Sequence, residues 1–421
     1  MKKILFSIFL ILIVFFLFAC SKAPIYQNWA EICFDIKSGK LFVTAEILID
    51  NMNELMLTVQ ATIKEITFDD QNIEIGHSGD RLIFPSIHKK SKIHIEYVLP
   101  LEQFGKDKAY IFTRASKWFP FKYDVVSGLN FKISIPNQYK VYSCGNIGII
   151  DSSDTSDTYR IINTTNISFA FIVAPANYYS HIPKVVKGKK IDFYFINKDP
   201  SIQNFIMSES CETFEYCTAM LGEYPRDNLI VIEFPGLHYC QSLEGLLIAG
   251  SWYVDNVQNQ KMRFWPSHEM IHQWIGSGMH ITIKDDNELR WFMEESLTEY
   301  LRMCMIEDTC GSDSLLAVLR SSVEEYHNNI KGTEKDVSIY ENIPNRIIYL
   351  IGPLYFDYIR RLLGEDTWRK FIRELYSVNI DKIITYKDFR NTLSKYLSIE
   401  AISKIENLLK SRGIPDKILR S

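Results

Sequence analysis

The sequence predicts a multidomain α and β chain: an N-terminal antiparallel β-sandwich domain followed by a mainly α domain. Three observations carry the prediction. From about residue 27 to 180, short runs alternate apolar and polar residues with a period of two, the pattern of strands with one wet face. After residue 261 the apolar positions recur at helical spacing almost to the end. Between these regions strand-like and helical runs take turns, which places a small sheet at the start of the second domain. A chain of 421 residues, 47% hydrophobic and 23% charged, buries a full core. A net charge of −4 leaves no basic footprint, so no nucleic-acid partner is expected.

Residues 1–19 read as a targeting segment. Lys2 and Lys3 open it, Ile4 to Phe18 form an apolar run, and Ala19 precedes Cys20. The segment resembles a bacterial lipoprotein signal. That likeness implies lipidation of Cys20 and a body anchored through it to a membrane of the cell envelope, facing outside the cytoplasm. An uncleaved anchor helix and a conventional signal peptide are the alternatives, and an apolar run of fifteen is short for a spanning helix. Export permits disulfides. However, the six-residue spacings Cys211/Cys217 and Cys304/Cys310 turn the sulfurs apart on an unbroken helix, so no bridge is assigned.

The sandwich is placed at 20–183 and the second domain at 184–421. Strands are expected where Leu57, Val59, Ala61 and Ile63 alternate with polar residues. The same holds at Ile93, Ile95 and Tyr97, at Phe131, Ile133 and Ile135, and at Ile167, Phe169 and Phe171. Turn clusters such as His77-Ser78-Gly79-Asp80 separate them. In the second domain strands are expected at 190–196 and 229–232, a helix at 208–221 and a loop at 235–245. Further helices are expected at 288–306, 314–328, 345–363, 366–376, 386–396 and 399–411.

The chemistry centres on His268-Glu269-Met270-Ile271-His272. Histidines at i and i+4 share one helical face, so both imidazoles reach one metal ion while Glu269 sits beside it. A catalytic zinc takes three protein ligands and keeps one position open. The next helix, with Trp291-Phe292-Met293-Glu294-Glu295, offers Glu294 and Glu295 as the third ligand by position alone. Zinc polarises a scissile carbonyl and activates water. Glu269 is placed to take the water's proton and hand it on. Glu299, one turn beyond Glu295, lies on the right face to hold a ligand histidine from behind.

His268 to Gly276 followed by Glu294 to Tyr300 resembles the signature of the M1 aminopeptidases, HExxHxWxG and NEGFAxY. The related M61 family is a close competitor, and both are gluzincins. The resemblance implies a thermolysin-like catalytic domain with one zinc ion per chain, held by His268, His272 and Glu295. It extends to Glu223-Tyr224-Pro225 through Phe234-Pro235, and to Gln241-Ser242-Leu243-Glu244-Gly245 at the place of GxMEN. There it implies that Glu244 binds the substrate's free amine. Tyr349-Leu350-Ile351-Gly352 resembles YxKG, which implies that Tyr349 stabilises the transition state, and 385–389 resembles TxxDF. The likeness spans roughly 190–415 and implies a compact form without the family's large C-terminal helical domain. The expected activity is hydrolysis of peptides, by an aminopeptidase, with Glu269 as base and Tyr349 as oxyanion donor. A gluzincin endopeptidase, a peptide-binding lipoprotein that keeps the zinc, and a hydrolase of a non-peptide substrate are the other readings.

Overall fold

The computed structural model describes residues 28–50, 52–72, 75–87, 89–122, 128–143, 145–163, 169–257, 265–281, 289–341 and 346–419. They form two units. One takes the described residues up to Leu101 with Lys117–Asn137 and Gly145–Asn166. The other takes Glu102–Ser116, Gln138–Cys144 and the chain from Ile167 onward. A division after residue 183 would cut the strand Ser180–Val186, whose ladder runs entirely to Lys189–Phe195 of the second unit. That cut would orphan a row of backbone hydrogen bonds.

Alternating apolar residues build the first unit. Its eight-stranded sheet runs, in spatial order, Asn146–Ser152, Ser156–Asn163, Leu129–Pro136, Asn28–Asp35, Lys40–Ile49, Ser91–Pro100, Thr62–Phe68 and Gln71–Asn72. Neighbours are antiparallel except where Asn28–Asp35 lies parallel to Leu129–Pro136. A three-stranded sheet of Met52–Met56, Arg81–Ile87 and Gly76–Ser78 belongs to the same unit. Ile93, Ile95, Tyr97 and Leu99 are buried along one face, as are Phe131, Ile133 and Ile135. The run from Leu57 to Lys64 is not one strand. Thr58 O accepts from Ala61 N in a turn, Val59 is exposed, and the strand starts only at Thr62.

In the second unit, Ala170–Pro175 lies inside a four-stranded sheet, between Tyr139–Ser143 and Ala109–Thr113. Phe169 through Ala174 are all buried, so the alternation expected there is lost because both faces are covered. The expected Ile167 lies outside the described residues. A five-stranded sheet follows the order Ser180–Val186, Lys189–Phe195, Asn228–Phe234, Leu246–Gly250, Cys240–Leu243. Its last two strands replace most of the loop expected at 235–245. They form a hairpin closed at Glu244 and Gly245, where Gly245 supplies φ +68°. The edge strand Cys240–Leu243 runs antiparallel to its neighbour, while the three strands before it in space include two parallel pairs.

The helices are α1 Pro200–Met220, α2 Ser251–Asn256, α3 Trp265–Ile271, α4 Leu297–Cys310, α5 Ser312–Asn329, α6 Ile347–Leu350, α7 Gly352–Leu363, α8 Glu365–Ser377, α9 Tyr386–Leu393 and α10 Ile399–Leu409. Helix α1 starts earlier than expected because Asp199 caps it through Ser201 N and Pro200 occupies its first turn. The helix expected at 345–363 is two. Pro353 has no N–H to give to the carbonyl four residues back, so the chain breaks at Ile351 and starts again as α7. At α9 the likeness to TxxDF has a physical cause: Thr385 and Asp388 form a reciprocal capping box. Trp274, fully buried against Phe214 and Tyr224, donates its indole N–H to Gly222 O and anchors the motif segment in the core. Cys33, Cys211, Cys217, Cys240, Cys304 and Cys310 are free. Cys20 lies outside the described residues, and among those residues no helix is long and apolar enough to cross a membrane.

Candidate metal centre and active site

Helix α3 presents His268, Glu269 and His272 to one buried point. His272 falls just past the end of α3, yet its N–H still reaches His268 O at 3.3 Å, so the i, i+4 relation holds. Gly276 ends the segment at φ +103°, and a Cβ there would press on Glu294 Oε1 and His272 Nδ1. Glu295 arrives from a π turn, Phe292–Ser296, that opens into α4. Such turns widen a helix by one residue and re-aim a side chain.

The three side chains converge. His268 Nε2 is 3.1 Å from His272 Nε2, and Glu295 Oε2 is 3.3 Å from each. The far nitrogens are occupied: His268 Nδ1 donates to Glu299 Oε2 at 3.0 Å and His272 Nδ1 to Ile275 O at 3.0 Å. Both imidazoles therefore keep an Nε2 lone pair for the centre. Two neutral imidazoles and a carboxylate, held from behind and buried, are the donor set of a catalytic zinc, so the residues present fit that ion. Burial alone would raise the Glu295 carboxyl. When protonated, the facing His272 and His268 outweigh it and hold the group well below the usual carboxylate range. Arg302 does the same for Glu299, gripping it through Nε at 2.9 Å and through a second guanidinium nitrogen.

Of the two carboxylates left open by position, Glu295 joins the cluster and Glu294 does not. Glu294 pairs with Arg290 at 3.0 Å, and Arg290 lies over the ring of Trp291. Glu269 is buried beside the ligands; burial raises its carboxyl, and the nearby backbone N–H of Ser242 pulls weakly the other way. Burial and the nearby Glu295 raise the Tyr349 hydroxyl, its ring centroid lies 5.9 Å from that of His268, and its residue is 39% exposed, so one side faces open space. His268, Glu269, His272, Glu295, Glu299 and Tyr349 thus come together as expected.

Glu244 does not join them. It sits in the turn of the hairpin, 3% exposed, with Oε1 2.8 Å from Arg226 Nε, and Arg226 reaches on to Asp381 at 2.5 Å. Burial raises its carboxyl and the charges acting on it are those of Arg226 and Asp381. Arg226 matches Oε1 of this carboxylate, while Oε2 is buried with no hydrogen-bond partner among the described residues. The residue of that segment whose backbone N–H acts on Glu269 is Ser242.

Gln273 is the residue that motif reading passes over. Buried next to His272, it donates to Ser242 Oγ at 2.7 Å and Leu243 O at 2.8 Å, and it accepts from Gly245 N at 3.0 Å and Tyr224 OH at 3.1 Å. It ties the ligand segment to the edge strand that carries Ser242. A polar amide on the buried side of the motif was the one sequence signal available.

Fold and site define a gluzincin: two histidines from one helix and a glutamate from the next, beneath a sheet edge. Residues 243–411 match the model of the Peptidase family M1 domain, and the fold is that of solved M1 zinc metallopeptidases. An M1 zinc metallopeptidase from Deinococcus radiodurans superposes with TM-score 0.72 at 12% identity, over 94% of this chain and 95% of that one. A glutamate-to-alanine mutant from that organism, bound to a Tyr-Ser-Ala substrate, gives 0.70 at 10% identity over 94% and 96%. A two-domain M1 zinc metallopeptidase mutant bound to L-tryptophan gives 0.69 at 11% over the same shares. No curated protein matches the chain in sequence.

Because Arg302 acts on the centre only through Glu299 and His268, its loss should show first in metal affinity. Arg302→Met is expected to weaken zinc binding on the order of 10–100-fold, measured by competition with a chromogenic chelator on protein of unchanged circular dichroism. Unchanged affinity would show that Glu299 needs no clamp.

Proposed function

We propose that the protein is a zinc-dependent peptidase acting as an aminopeptidase; the observation carrying the peptidase reading is a buried Glu269 and a partly exposed Tyr349 beside the three-ligand centre. Zinc, held by His268, His272 and Glu295, supplies Lewis-acid polarisation of the scissile carbonyl and acidifies water. The chain's own residues do the rest. Glu269 takes the proton from the attacking water and delivers it to the departing amine. Its pKa, raised by burial, suits a group that must accept a proton and give it up again. Tyr349 turns its hydroxyl towards the oxygen of the tetrahedral intermediate. The edge strand Cys240–Leu243 offers the substrate backbone a place to pair as one more strand.

Exopeptidase action rests on the M1 domain and on the relatives captured with a free amino acid and with Tyr-Ser-Ala, not on Glu244. We also place the enzyme outside the cytoplasm on a lipid anchor at Cys20, on the strength of the N-terminal segment.

Glu269→Gln is expected to retain zinc and lose roughly 10²–10⁴-fold in kcat; a fully active variant would remove the general-base role. Aminoacyl fluorogenic amides should be cleaved and their N-acetylated forms refused, whereas equal turnover of both would make the enzyme an endopeptidase. Cys20→Ser should abolish labelling by a radioactive fatty acid and move the protein from the membrane to the soluble fraction. Retention in the membrane without label would point to an uncleaved anchor instead.

A further inference from the structure

Tyr349 stands on a very short support. Helix α6 has four residues, and the break at Ile351 leaves its carbonyls at a helix end, where intrahelical donors run out. A single turn of helix does not hold itself. The fastening comes from the ligand turn. Ser296, the residue after Glu295, is fully buried and donates its hydroxyl to Ile348 O at 2.7 Å. Ile348 is the residue before Tyr349, whose ring centroid lies 5.9 Å from that of His268 at the centre. Two chain neighbours and one hydrogen bond thus link Glu295 to Tyr349 by way of Ser296 and Ile348.

Gly352 completes the fit. A Cβ built there would lie 2.0 Å from Ser296 Oγ and 2.5 Å from Ser296 Cβ, so any larger residue would push the serine off the Ile348 carbonyl. The approach is that close because Pro353 starts α7 at once and turns the glycine against the π turn. None of the three residues touches a substrate position. Their shared effect is on where the Tyr349 hydroxyl sits relative to the ligand carboxylate.

We propose that Ser296, seated against Gly352, is a positioning residue that sets the Tyr349 hydroxyl for catalysis. The inference rests on the reading of Tyr349 as the oxyanion donor. A displacement of about 1 Å of such a donor is enough to cost a large part of its effect. Ser296 therefore acts on turnover and on transition-state binding, while the zinc ligands and ground-state substrate binding stay as they are.

The test is a double-mutant cycle on the zinc-loaded full chain, using an aminoacyl amide and a tetrahedral phosphinic dipeptide as transition-state mimic. Ser296→Ala keeps the packing and removes only the hydroxyl. It is expected to lower kcat about tenfold with KM and zinc affinity unchanged, and to weaken the phosphinic peptide by the same factor. Tyr349→Phe is expected to lower kcat on the order of 10²–10³-fold, and the double variant to be no worse than Tyr349→Phe alone. Multiplying effects, or a drop in zinc affinity in Ser296→Ala, would overturn the proposal, because the serine would then be serving the fold or the ligand. Full activity of Ser296→Ala beside an impaired Tyr349→Phe would overturn it and leave the tyrosine's role standing. Full activity of Tyr349→Phe would take away both.

Discussion

Three electron-pair donors aimed at one point repel one another, and the rest of the second unit is arranged to hold them there. His268 Nε2, His272 Nε2 and Glu295 Oε2 lie 3.1–3.3 Å apart, and each imidazole is held from behind. For His268 the restraint is Glu299, itself gripped by Arg302. For His272 it is the carbonyl of Ile275, made available by the tight turn before Gly276. Helix α1 reaches the same point: Ser267, just before His268, donates to Glu209 and receives from Thr213. The motif helix is therefore pinned by polar bonds on the side away from the centre as well as by Trp274 in the core. Buried polar groups of this kind are stable only when fully paired, and here the pairing also fixes which nitrogen faces the metal.

The edge strand is the second thing positioned from the motif. The Ser242 N–H acts on Glu269, and Gln273 decides where Ser242 is. The outer side of the same hairpin is fastened by Glu244 to Arg226, whose other partner Asp381 donates its backbone N–H to Gly278 O, beyond the motif. Glu269, the edge strand and the clustered histidines are thus tied to one another. Glu244 serves this purpose from the turn, where its charge is used to close the hairpin against the segment that carries the histidines.

What was legible in the sequence follows from what each feature depends on. The i, i+4 histidines and the strand alternations report periods of the backbone itself, and so they were readable. The hairpin at 240–250 was not: its strands are four and five residues long, the inner one wholly buried, so no alternation marks them. The π turn is invisible in the residues because it is imposed by packing of Glu295 and Ser296 against the centre and α6. The break at Ile351 was written in Pro353 and could have been read. Glu244 was placed by spacing along the chain, and spacing does not say which way a turn residue faces.

Charge gives the arrangement its direction. Four carboxylates crowd the site, and two of them are already matched: Glu294 by Arg290 and Glu299 by Arg302. Glu269 and Glu295 remain, beside two imidazoles whose far nitrogens are already hydrogen-bonded. The Glu295 carboxylate and the two imidazoles form the donor set for a cation, and neither arginine is free to serve that carboxylate. This also explains why two neighbouring carboxyls are driven opposite ways, Glu295 down by the histidines it faces and Glu269 up by burial. A ligand must stay ionised to hold metal, whereas a general base must be able to carry a proton and release it. The environments that separate the two roles are set by one helix and one turn.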